Sequence, residues 1–166
     1  MYKFKTSQKS MNSDEFIMNE HNKDEFPPAH TAEHLLNQTM IRMFGCGRSN
    51  NAHIERKKSK MSYVLDHKPT RKEEKEIESR MNELIADDLP VTYEFVDKDN
   101  LPQGISVDKL PGDVSQKVRL VRIGDYDVCT CIGKHVRSTA QIGRFELLGT
   151  NWDEASHTFR VRFKIV

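Results

Sequence analysis

No segment of this chain is apolar over the roughly 20 residues a membrane-spanning helix needs, and its first residues are polar and charged where a signal peptide would need an apolar stretch. The expected location is the cytoplasm. Cysteine is scarce and odd in number: Cys46, Cys129 and Cys131, the last two forming a CxC pair. That count argues against a disulfide framework and fits thiols kept in a reducing compartment. Neither sign of charge dominates, since 26 Lys and Arg face 25 Asp and Glu for a formal net charge of +1. A strong overall basic field is thereby excluded, and any RNA contact must come from local patches. No internal repeat is visible. What is present, 166 residues that are 36% hydrophobic and 31% charged, is enough for one well-packed domain with a heavily charged surface.

Residues 1–28 read as a polar, flexible N-terminal extension closed by Pro27 and Pro28. The domain proper is expected over 29–166. HTAEHLLNQTMIRMF reads as a helix, with Leu35, Leu36, Met40, Ile41, Met43 and Phe44 as its apolar face and Gly45 and Gly47 at its end. The stretch 51–68 is hairpin-like. Thr70 with Glu73 forms a capping-box pattern before a second helix over 70–89, in which Ile77, Met81, Leu84, Ile85 and Leu89 recur at helical spacing. VTYEFV reads as a strand, and DNLPQGISVDKLPGD as a turn-rich connection. From Lys117 onward KVRLVRI, YDVCTC, QIGRFELLG and HTFRVRFKIV read as strands, the last alternating Phe159, Val161, Phe163 and Ile165 against Arg160, Arg162 and Lys164. There is no βαβ rhythm. The expected fold class is α+β: a single domain with a mostly antiparallel sheet and helices packed on one face.

Two short motifs carry the chemistry. HTAEH spaces His30 and His34 four residues apart, on one face of a helix. CIGKH spaces Cys131 and His135 by four, around a glycine that permits a tight backbone reversal. Three imidazoles and one thiolate suit Zn²⁺.

Three function classes use such a set. HTAEH formally matches the HxxEH pattern of inverted zinc metallopeptidases, whose further carboxylate ligand comes from a downstream helix. Glu73, Glu74, Glu76, Glu78 and Glu83 are available for that role, but the pattern leaves Cys131 and His135 unused. A non-catalytic zinc-binding module would close the metal with four protein ligands. About a hundred residues separate the two ligand pairs, whereas compact structural sites usually draw on paired knuckles. The third class is an ester hydrolase.

For that third class the residues carry a family resemblance. HTAEHLLNQTM resembles the HTATHLL-type motif, and CIGKHV the CGGTHV-type motif, of the alanyl-tRNA synthetase editing domain and its free-standing trans-editing relatives. The hairpin with Tyr63, Val64, Leu65 and Asp66, the helix opened by Pro69 and Thr70, the strand after Pro90 and the segment 139–143 fall in the same order as their counterparts in that family. The resemblance runs over 29–166. It implies a trans-editing aminoacyl-tRNA deacylase that maintains translation fidelity. His30, His34, Cys131 and His135 would be both Zn²⁺ ligands and the catalytic set, with Glu33 bordering the site as a base or supporting carboxylate. The implied partner is the acceptor end of a tRNA carrying a wrong amino acid, and the protein is expected to act as a monomer or weak dimer. Serine on tRNA(Ala) is the implied target, with glycine also admitted. A site that hydrogen-bonds a hydroxyl discriminates well against an analogue lacking one.

Departures accompany the resemblance. Where many relatives have a Gln-x-Gly-Ser stretch after the first helix, this chain has Arg48, Ser49, Asn50, Asn51, Ala52 and His53. The N-terminal barrel of longer relatives and their aminoacylating portion have no counterpart, so the chain looks like the short form. The threonyl-tRNA synthetase editing domain carries a similar His/His/Cys/His set that resembles catalytic side chains more than a metal cage. Thr31 is expected either to start the helix or to face substrate. Residues around Ile142 and Gly143 are candidates for the amino-acid pocket. Lys57, Lys58, Lys60, Arg137, Arg144, Arg160, Arg162 and Lys164 are candidates for phosphate contacts.

Overall fold

The computed structural model describes residues 25–105 and 116–166. The extension expected over 1–28 lies outside the described residues as far as residue 24, and the turn-rich connection expected over 99–113 does so from residue 106 onward.

The first helix, α1, spans Pro27–Phe44. Pro27 and Pro28 form its first turn, where a missing N–H is harmless because no intrahelical acceptor awaits it. Its end is the expected Gly45, left-handed at φ 67°, whose N–H donates to the Ile41 carbonyl. Leu35, Leu36 and Met40 are fully buried, each contributing about 1.5–3 kcal/mol by leaving water. The second helix, α2, spans Arg71–Ala86 and opens on a complete capping box between Thr70 and Glu73. It stops short of the expected Leu89 because Asp88 turns left-handed, at φ 52°.

All strand pairings among the described residues are antiparallel. The expected α+β fold is thus found, with the strands divided between two sheets. One has four strands, β1 (Asn51–His53), β2 (Ser59–Val64), β7 (Thr158–Ile165) and β6 (Phe145–Asp153), in that spatial order. The other has three, β3 (Val91–Asp97), β4 (Lys117–Ile123) and β5 (Asp127–Thr130). The alternation in β7 works as its sequence implies: Phe159, Val161 and Phe163 are in the core with Met61, Tyr63 and Phe145, so Arg160, Arg162 and Lys164 face the opposite side of the sheet.

Helix α2 meets β6 through a polar row. Glu74, Glu78 and Asn82, four residues apart and so on one face, bond to Thr150 Oγ1, the Leu147 N–H and both backbone groups of Phe145. Helix α1 is fastened to the three-stranded sheet at the β4–β5 turn. Thr39 bonds to the Tyr126 hydroxyl at 2.7 Å and Arg42 donates to the Tyr126 carbonyl at 2.8 Å. The first helix thereby faces the end of β5, where the second motif begins. Among the described residues no helix is long and apolar enough to cross a membrane.

Candidate metal centre and active site

The loop that follows β5 is held at both ends. Arg119 on β4 donates Nε to the Cys131 carbonyl at 2.8 Å and Nη2 to the Gly133 carbonyl at 2.6 Å, and the Tyr93 ring covers the guanidinium at 4.5 Å. Further on, the Val91 N–H donates to the Arg137 carbonyl at 2.8 Å and the Thr139 N–H to Leu89 at 2.9 Å, tying the loop to the α2–β3 connection. Between these anchors the Lys134 N–H donates to the Glu25 carboxylate, and Glu25 and Phe26 line the same cleft as the loop.

So placed, the loop brings Cys131 and His135 against His30 and His34. One potential ligand atom from each of the four lies within 4.8 Å of the others. The His30 and His135 rings stack at 4.1 Å between centroids, and His34 stands edge-on to both at 5.0 and 4.4 Å. Cys131 Sγ lies 3.3 Å from His30 Nε2 and accepts the Gly133 N–H at 3.4 Å.

Each imidazole is gripped by its Nδ1. His30 Nδ1 is 2.8 Å from the Lys134 carbonyl, which can only accept, so this nitrogen carries a proton. His135 Nδ1 is 2.9 Å from Thr31 Oγ1, which also accepts the Val136 N–H at 3.2 Å. His34 Nδ1 faces Cys129 Sγ at 3.1 Å and Asp127 Oδ2 at 3.9 Å. Nε2 is then the nitrogen left to the cluster in all three rings, the arrangement histidine ligands commonly show. His135 Nε2 is buried and, among the described residues, without a hydrogen-bond partner, which suits a metal-ligand atom.

Electrostatics agree with that division for His34 and His135. Burial, then the charges of His30, Arg48 and Arg119, pushes His34 well below the ordinary imidazole range. Burial, then the charges of His34, His30 and Arg119, does so for His135. Both are neutral at pH 7, as a ligand must be. For His30 burial acts downward, but the hydrogen bond and charge of Cys131, with help from Glu33 and the Lys134 carbonyl, carry it up to about 9. Without a metal His30 therefore also holds a proton on Nε2, 3.3 Å from the Cys131 sulfur, and a metal ion would take that proton's place. The residues present fit Zn²⁺ in donor type, number and convergence.

Glu33 borders the group, with Oε1 3.8 Å from His30 Nε2, and lines a cleft of about 910 Å³ together with His30, His34 and Cys131. Thr31 is fully buried and braces His135; it does not line the cleft. Gly133 matters for a different reason than expected. Its φ is not positive; a Cβ there would come within 2.9 Å of His30 Nδ1 and closer still to Cε1.

Other expected site residues fall elsewhere. Ile142 is in the core and Gly143 lies against the carbonyl of Val166, so neither lines the cleft. The helix glutamates are absent from the metal-capable groups and from the cleft lining among the described residues. Glu74 and Glu78 bond to β6, Glu73 caps α2, and Glu76 pairs with Arg80. The metallopeptidase reading thereby loses its carboxylate ligand. Of the proposed phosphate-contacting residues none lines the cleft. Arg144 and Lys164 pair with Glu146, and Arg162 bonds to Asn151. The basic liner is Arg48, whose guanidinium is bound to Asp127.

The residues that sequence reading missed are Asp127, Cys129, Arg48 and Arg119. Two of them stand immediately before Cys131 at period-two spacing on β5, which is the signal that they share its sheet face.

Fold and site together define an α+β domain bearing a mixed imidazole–thiolate centre between a helix and a strand-end loop. Residues 118–161 match the family described as the threonyl and alanyl tRNA synthetase second additional domain. Over 131 residues, 77% of this chain, the sequence is 32% identical to the alanine–tRNA ligase of Halorubrum lacusprofundi, of which it covers 14%. Over 136 residues, 81% of this chain, it is 31% identical to the alanyl-tRNA editing protein AlaX-L of Pyrococcus horikoshii, of which it covers 32%. The alanine–tRNA ligase of Treponema denticola is 29% identical over 117 residues, 70% of this chain and 20% of the ligase. The chain therefore spans a third or less of the length of these relatives. The resemblance carried by the two motifs is borne out: the chain is a relative of alanyl-tRNA editing proteins and alanine–tRNA ligases.

Proposed function

We propose that the protein is an aminoacyl-tRNA deacylase that removes a wrong amino acid from tRNA in trans, with seryl-tRNA(Ala) as principal substrate and glycyl-tRNA(Ala) as a second. The observation that carries this reading is the convergence of His30, His34, Cys131 and His135 within 4.8 Å beside an open cleft. Relatedness to an alanyl-tRNA editing protein supplies the substrate class.

The reaction adds water to the ester carbonyl carbon, breaks the bond to the ribose oxygen and returns a proton to that oxygen. The four side chains would hold Zn²⁺, which when bound supplies Lewis acidity toward the amino-acid end of the substrate. Glu33, which lines the cleft, would take the proton of the attacking water. Thr31 and the Lys134 carbonyl fix the orientation of His135 and His30, so the site is organised before substrate arrives.

The test is hydrolysis of seryl-tRNA(Ala) beside alanyl-tRNA(Ala), with Cys131→Ala and His34→Ala as controls. Loss of serine, sparing of alanine and failure of both variants are expected. No deacylation by zinc-loaded wild type would overturn the substrate assignment.

A further inference from the structure

Behind His34, on the side away from the cluster, lies a buried polar group that the proposed chemistry does not use. The Asp127 side chain has no exposure. Its Oδ1 accepts from Gln38 Nε2 at 2.9 Å and from the Arg48 guanidinium. Among the described residues its buried Oδ2 has no hydrogen-bond partner, and it lies 3.9 Å from His34 Nδ1. Cys129 Sγ approaches the same Nδ1 to 3.1 Å. An unpartnered carboxylate oxygen in the interior costs several kcal/mol by general measure, so its orientation toward one ring nitrogen requires a reason.

His34, Asp127 and Cys129 are also close enough to hold an ion of their own, their ligand atoms lying within 4.8 Å of one another. The Arg48 charge already bound to Asp127 opposes a second cation there. An Nδ1–H donated to the Cys129 sulfur turns the positive end of the N–H dipole toward the Asp127 carboxylate without adding charge.

We propose that Asp127 and Cys129 are positioning residues for His34. Cys129 Sγ accepts its Nδ1–H and the Asp127 charge 3.9 Å away favours the proton on that nitrogen, which fixes the tautomer in which Nε2 presents a lone pair to the cluster, and Arg48 with Gln38 holds the carboxylate in place. In the opposite tautomer, with Cys129 donating to a bare Nδ1, the proton would sit on Nε2 and the site would lose a ligand. Relays of carboxylate, imidazole and metal work in this way elsewhere, and breaking one costs about 10–100-fold in metal affinity. The inference rests on the cation-binding part of the functional reading and not on its substrate.

Long-range ¹H–¹⁵N correlation spectra of the full chain, labelled at histidine and freed of metal by chelation, read the tautomer of His34 directly. The expected result is protonated Nδ1 and bare Nε2. In Asp127→Asn the expected result is an Nε2–H population at His34 alone, together with Zn²⁺ affinity lower by about 10–100-fold in competition titrations. Cys129→Ala leaves the Arg48–Asp127 pair untouched and is expected to weaken Zn²⁺ binding in the same direction; it decides the matter if Asp127→Asn fails to fold. A wild-type His34 protonated on Nε2 overturns the proposal, as does unchanged Zn²⁺ affinity in the folded variants. Neither readout involves tRNA, so absence of deacylation leaves this result standing, and a wild type that binds no Zn²⁺ overturns the cation reading separately.

Discussion

The His30 imidazole lies directly against the backbone of Gly133, in the space a side chain would fill. Position 133 is therefore glycine for reasons of contact, and the ring it admits is the one whose Nδ1–H reaches the Lys134 carbonyl at 2.8 Å. Gly133→Ala must push His30 out of that bond. The expected result is a folded protein, unchanged in far-UV circular dichroism, whose Zn²⁺ affinity falls by at least about tenfold. Retained affinity would mean that the ring can shift without cost.

Thr31 is the second support. Its fully buried hydroxyl oxygen serves both His135 Nδ1 and the Val136 N–H. Thr31→Val keeps the shape and leaves two donors without a partner, at a cost of about 1–3 kcal/mol. Thr31→Ser keeps the oxygen and should recover both stability and Zn²⁺ binding, apart from the loss of one methyl. Urea midpoints and zinc titrations of the two variants separate the hydroxyl from the methyl.

Helix α2 offers a contrast, because its start is far from the cluster chemistry. Thr70→Ala removes the cap and should cost about 0.5–2 kcal/mol with no change in Zn²⁺ affinity. Glu73 is held below the usual carboxylate range, chiefly by the Thr70 N–H and then by His67. A depressed folded value contributes stability that is complete above the unfolded value, near pH 4.3 for glutamate, and is lost as pH falls through the folded one. The side chain is about a third exposed, 32%, so solvent screens the effect and it is small. The stability gap between wild type and Glu73→Ala should be flat from pH 6 to 8, on the order of the cap energy, and narrow in acid. A gap that widens in acid would contradict the sign.

The legible parts of this protein are those set by local spacing. Two i, i+4 pairs, a capping box, a glycine after Phe44 and the alternation of β7 can each be read from a few neighbouring residues, and each is found. What escaped depends on which strand lies beside which helix. Asp127 and Cys129 face His34 because α1 is fastened to the β4–β5 turn, and no window of sequence contains that fact. Ile142 and Gly143 are expected at the amino-acid pocket, yet a 3₁₀ turn over Thr139–Ile142 carries Ile142 into the core and leaves Gly143 against the Val166 carbonyl. The glutamates of α2 looked like a solvated or catalytic row, and two of them instead bond to β6.

Arg119 gives the last test, because its fork spans the loop that carries half the cluster. Nε and Nη2 bind the Cys131 and Gly133 carbonyls together, with Tyr93 stacked on the guanidinium. A planar group with several fixed donors can do this, whereas an ammonium is a single point of charge. Arg119→Lys keeps the charge and should lose one of the two bonds, freeing Cys131 to wander from His30. Zn²⁺ affinity should fall while the urea midpoint moves little, since the core contains none of these groups. Arg119→Met should weaken Zn²⁺ binding further. If Arg119→Lys binds Zn²⁺ as wild type does, charge rather than the fork supports the loop, and the anchors at Val91 and Thr139 suffice to place Cys131.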